Sequence, residues 1–94
     1  MKVARVIGNI WATRKEQKLS GFTLLILQRI DITTGQDDGA PIVAVDLIGA
    51  GCGEMVIFVG GSSARSAAGD MSVPVDATVV AIVDNFELPG CKRE

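Results

Sequence analysis

Residues Asp46 to Arg65 read DLIGAGCGEMVIFVGGSSAR, and the fold turns on how this stretch is read. It holds five of the chain's eleven glycines in two clusters: Gly49, Gly51 and Gly53, then Gly60 and Gly61. Between them lies an apolar run of strand length, Met55 to Val59. Glycine loses more conformational freedom on folding than any other residue. Dense glycine therefore marks positive φ or the close approach of another backbone. Two such places flank one buried strand. What comes close to them is a phosphate, a nucleic acid or another copy of the chain.

Working outward, apolar alternation predicts four more strands. They are Lys2–Trp11, Phe22–Ile30, Ile42–Ile48 and Pro74–Asp84, with Glu54–Val59 as the strand between the glycine clusters. In the last strand Val75, Ala77, Val79, Ala81 and Val83 are expected on one face. Asp76, Thr78, Val80, Ile82 and Asp84 are expected on the other. Both faces of the first two strands are largely apolar, so both are expected to be covered. Ser62 or Ser63 is expected to cap one short helical turn at Ala64–Ala68. Thr13–Ser20 reads as a charged loop, either a solvated turn or a basic rim against a neighbour. Asp31–Pro41 is rich in turn formers and reads as a surface turn. Five strands and one helical turn predict an all-β domain over residues 1–85, with a short tail at 86–94. Small antiparallel sheets avoid open edges by closing. A five-stranded, OB-like closed barrel is the expected architecture.

Composition narrows the function. The chain has 94 residues, 48% of them apolar, and a net charge of −2. A domain this small has too much surface to bury all of that internally, which predicts an oligomer. The acidic balance, with three Phe, one Trp and no Tyr, argues against nucleic acid as a partner. The apolar runs are far short of the roughly 20 residues that span a membrane, and the N-terminus lacks a signal-peptide core. Cys52 and Cys91 have no metal or redox spacing, consistent with a reduced cytoplasm. Absence of histidine removes the commonest general base and the commonest zinc ligand.

The glycine clusters fail the tests for catalysis or nucleotide binding. GAGCGE lacks the Lys-Ser/Thr ending of a phosphate loop and leads into a strand rather than a long helix. GGSSAR has Ala64 where a nucleophile elbow needs glycine. Arg65 is expected to bond a carboxylate or carbonyl of its own or a neighbouring subunit. One of Asp46, Glu54, Asp76 or Asp84 is expected to pair with Arg5, Arg29 or Arg65. Cys52 reads as a small space-filler unless its loop lies on a symmetry axis, where several copies would converge.

Four segments, in order, resemble one family. They are ARVIGNIWATRKE at the start, LSGFTLLILQ at Leu19–Gln28, VAVDLIGAGCGEMVIFVGGSSAR at Val43–Arg65, and PVDATVVAIVD at Pro74–Asp84. The chain resembles the bacterial microcompartment vertex proteins of the EutN/CcmL family, the pentameric shell proteins of carboxysomes and metabolosomes. The resemblance implies a cyclic homopentamer in the bacterial cytoplasm. It would cap the vertices of an icosahedral shell tiled by hexameric shell proteins, with no enzyme activity, cofactor or metal. It also implies a narrow axial pore lined by Gly49, Ala50, Gly51, Cys52 and Gly53. Arg14, Lys15, Glu54, Ser62, Ser63 and Arg65 are expected at subunit contacts. The competing expectations are an OB-like binding domain for an oligonucleotide or small anion and, third, a carboxylate enzyme.

Overall fold

The computed structural model describes residues 1–12, 15, 17–69, 71 and 75–86. Its strands are Lys2–Ile10 (β1), Thr23–Arg29 (β2), Ile42–Asp46 (β3), Met55–Gly60 (β4) and Ala77–Ile82 (β5). A helix, Gly61–Ala67 (α1), joins β4 to β5, and a 3-10 turn at Gln17–Leu19 precedes β2. The strands close into a barrel in the order β1-β2-β3-β5-β4. Only β3 and β5 run parallel. This is the expected five-stranded closed barrel.

The core is built from inward positions of every strand. Ala4 and Val6 of β1 meet Leu25 and Leu27 of β2, Ala44 of β3, Val56 and Phe58 of β4, and Ala77 and Val79 of β5. Each fully buried Leu contributes about 2 kcal/mol through removal of apolar surface from water. Strict alternation does not survive along the whole of β5. Ile57 pairs with Ala81 but Phe58 pairs with Val79, which leaves Val80 as an inserted residue. Such a bulge reverses the faces beyond it. Ile82 therefore packs on the core, where alternation assigned it to the face opposite Ala77 and Val79. A second register shift, between Val6 and Gly8, leaves Ile7 exposed on β1.

The strand ends also differ from expectation. β3 stops at Asp46, two residues before Ile48, because the Asp46 carboxylate takes the Ile48 N–H and turns the chain away. β5 begins at Ala77, and the expected start at Pro74 lies outside the described residues. α1 is capped by the extended backbone of Gly60, with no side-chain cap from either serine. Gly60 is needed for a different reason: a Cβ there would press on the Asp76 carbonyl at 3.3 Å. α1 is held on β5 by Thr78, whose hydroxyl donates to the Ala64 carbonyl at 2.8 Å in a buried setting. Among the described residues no helix is long and apolar enough to cross a membrane.

The polar loop 31–41 is exposed throughout, as expected of a turn. It folds back on β2 through an Ile30–Asp37 bridge and a 2.9 Å bond from Gln28 Nε2 to the Gly39 carbonyl. Arg5 pairs with Asp37 here at 3.3 Å, not with any of the four carboxylates expected from the sequence. Both groups are exposed, so the pair adds less than about 1 kcal/mol.

Two outcomes follow from these contacts. Thr78→Val should remove this buried bond, leaving the Ala64 carbonyl only the Ala68 N–H, and destabilise the chain by about 0.5–1.5 kcal/mol, read from denaturant unfolding. Asp31 is held below its ordinary 3.8 by the Thr33 hydroxyl first, then by the Thr33 and Thr34 amides. Its small contribution to stability is present above pH 3.8 and fades as pH falls through the lowered value. Thr33→Val should move the Asp31 titration, followed by carboxyl carbon NMR, back towards 3.8.

Candidate functional site

The loop between β3 and β4 has an unusual path to cover. β3 and β4 are not neighbours, because β5 lies between them. The connection therefore crosses one mouth of the barrel, past the end of β5. The N–H groups of Ile48, Gly49 and Ala50 pair with no strand there, and buried amides need partners. Asp46 supplies them. Its Oδ1 accepts from Ile48 N at 2.9 Å, and its Oδ2 accepts from Gly49 N at 3.0 Å and Ala50 N at 2.8 Å. Asp46 is itself only 8% exposed.

The far side of the loop is held by a second carboxylate. Glu54 Oε1 accepts from the Gly51 amide, while Glu54 N donates to the Gly51 carbonyl at 3.1 Å. The loop end is then stitched to β1. Gly53 N donates to the Val6 carbonyl at 2.8 Å, and Val6 N donates to the Glu54 carbonyl at 2.9 Å.

These bonds sort the five expected pore residues. Ala50 is turned inward and belongs to the barrel core at 9% exposure. Its methyl packs with the core cluster. Gly49, Gly51, Cys52 and Gly53 are exposed. Gly49 and Gly53 have φ of +92° and +89°, so their own backbone demands glycine. Gly51 is different. It does not have positive φ, and a Cβ there would meet only the flexible end of Glu54 at 3.2 Å. Among the described residues, only the Glu54 carboxylate would have to give way to a side chain at 51. Beside this small-residue tip, Leu47 and Ile48 present exposed aliphatic side chains.

The second glycine cluster lies at the opposite mouth. β4 runs from one end of the barrel to the other, so Gly60, Gly61 and α1 are separated from the loop by its full length. Ser62 and Ser63 are exposed, and Arg65 is half-buried with no ion pair among the described residues. Lys15 donates to the Phe22 carbonyl at 2.8 Å, within its own chain. Arg14 lies outside the described residues. The structure thus brings Gly49–Glu54 together but keeps Ser62, Ser63 and Arg65 apart from them. Sequence reasoning placed Asp46 in a strand and missed it as the organiser of the loop. The available signal was an Asp at the end of a strand with Gly49 three residues on, since a short Asp side chain can accept from the amides of its own turn.

Residues 1–84 match the family described as ethanolamine utilisation protein EutN/carboxysome. The chain belongs to the EutN/CcmL family. It is 48% identical over 90 residues to the bacterial microcompartment shell vertex protein EutN of Salmonella typhimurium, covering 96% of this chain and 90% of that one. It superposes on the solved structure of an ethanolamine utilization protein, EutN, with a TM-score of 0.89 and 44% identity, over 96% and 93% of the two chains. The GrpN pentameric microcompartment shell protein from Rhodospirillum rubrum gives a TM-score of 0.83 at 42% identity, over 94% and 99%. EutN/CcmL proteins are structural shell components and not enzymes. The EutN/CcmL relationship spans the barrel, both glycine clusters and α1.

The Asp46 bonds predict a specific loss. Asp46→Ala should free three loop amides and lower stability by about 2–4 kcal/mol, with faster hydrogen exchange at Ile48, Gly49 and Ala50. Unchanged protection of those amides would show that the loop is held by other contacts.

Proposed function

We propose that this chain assembles as a closed homopentamer that caps the vertices of a microcompartment shell in the bacterial cytoplasm. A flat lattice of hexameric shell proteins cannot close without five-fold units, and this chain would supply them. In this reading five copies of the Gly49–Gly53 loop meet around the five-fold axis and leave a narrow pore. The observation that carries it is Gly51, an exposed glycine without positive φ whose added Cβ would meet, among the described residues, only Glu54. A glycine at an exposed tip permits close approach by another backbone. The exposed Leu47 and Ile48 beside it, and Trp11 at 86% exposure, supply apolar surface for the ring to bury.

Pore lining is assigned to Gly49, Gly51, Cys52 and Gly53, with Ala50 as the inward anchor of the same loop. Ser62, Ser63 and Arg65 are the stronger candidates for subunit contacts. Their polar groups are not engaged in the helix cap, and Arg65 has no ion pair among the described residues. Lys15 and Glu54 are already bonded within the chain and would contribute less.

Native mass spectrometry tests the ring. The expected species is five times the 9.8 kDa chain. Gly51→Trp should leave circular dichroism of the barrel unchanged yet abolish that species. Normal pentamers from this variant would remove the loop from the axis. A different oligomer number in the parent protein would remove the vertex role.

A further inference from the structure

We infer that the barrel mouth opposite the glycine loop binds a small organic oxyanion, a carboxylate or phosphate ester on a compact apolar body. A cleft of about 530 Å³ opens there, within the range of roughly 300–1,000 Å³ typical of ligand sites. Every strand of the barrel contributes to it. Lys2 comes from β1, Arg29 from β2, Ile42 from β3, Phe58 from β4 and Ala77 from β5, with Asp76 just before β5. Polar groups converge on an otherwise aliphatic and aromatic wall.

Charge at this mouth runs against the charge of the whole molecule. The chain carries −2 overall, yet the cleft sets two cations against one carboxylate. Arg29 and Asp76 both line it without forming an ion pair. Arg29 Nε is buried and has no hydrogen-bond partner among the described residues. A buried guanidinium N–H left unpaired is costly and calls for an explanation. Gly39 lets the guanidinium lie against the 31–41 loop. A Cβ at that position would overlap an Arg29 terminal nitrogen, so the loop backbone lies directly against the guanidinium. Arg29 is thus packed between this loop and the cleft, and its planar fork suits an oxyanion better than a point charge does. The apolar walls would then cover the body of the ligand. The cleft forms within one chain, so this inference stands apart from the vertex assignment.

Calorimetric titration of the assembled protein at low ionic strength tests it, with hexanoate and hexyl phosphate as probes and inorganic phosphate as the comparison. At least one organic probe should saturate at one per chain. Arg29→Gln should weaken that binding by about tenfold or more. Asp76→Asn should tighten it, and Lys2→Gln should weaken it, which keeps the test sound should Arg29→Gln fold poorly. Inorganic phosphate should bind more weakly than hexyl phosphate. Absence of saturable binding, or identical binding by all three variants, would overturn the proposal. So would equal affinity for inorganic phosphate, or a change in native mass for Arg29→Gln without a change in probe binding, which would make the mouth a subunit contact.

Discussion

Three backbone amides converge on the Asp46 carboxylate, and the arrangement of the glycine loop depends on them. The need arises from topology. A barrel ordered β1-β2-β3-β5-β4 forces the β3–β4 connection across an open mouth, where no strand carbonyl takes the N–H groups of Ile48, Gly49 and Ala50. A short acceptor at the end of β3 meets that need locally. It also ends the strand, draws Ala50 into the core and leaves Gly51, Cys52 and Gly53 facing outward. One side chain thereby divides a run of small residues into an inner plug and an outer tip. Glu54 fixes the far side of the same tip through Gly51.

The outer tip is where chain-internal physics stops explaining the residues. Gly49 and Gly53 are accounted for by positive φ, and Gly60 by the Asp76 carbonyl at its back. Gly51 has neither reason. Exposed Leu47, Ile48 and Trp11 are likewise poorly served by a lone 94-residue domain, whose surface is large for its volume. A ring of copies accounts for all four together. In the proposed ring that aliphatic and aromatic surface would leave the water, and the small residue at 51 would allow the loops to approach. The structural role of the EutN/CcmL family agrees with a chain whose distinctive residues serve close packing and not bond making.

The two ends of the barrel are built differently. At the loop end, carboxylates accept backbone amides and the mouth is plugged. At the α1 end, the mouth stays open, lined by Lys2, Arg29 and Asp76 over an apolar floor. α1 itself rests on β5 through Thr78 and the buried Ala64. Because β4 links the two ends, the glycine clusters that adjoin it in sequence serve separate places. The first belongs to the tip that would meet other copies. The second permits the tight passage from β4 into α1, where backbone approaches backbone.

The sequence by itself determined the five strands, the closed barrel and the family. Period-two apolar patterning and turn formers act over a few residues and are legible without coordinates. It also excluded histidine chemistry and a phosphate loop, because those need residue types that are absent. Only the tertiary structure decided which way Ile82 faces, since one bulge residue, Val80, inverts a face without altering composition. It decided that Arg5 pairs with Asp37, and that Ser62 and Ser63 do not cap α1. It turned Ala50 inward, and it revealed Asp46 as the acceptor that shapes the loop. Those outcomes depend on strand order and on distances between segments far apart in the chain. Local pattern carries no information about them, because each is settled by which backbone groups the closed barrel leaves without a partner.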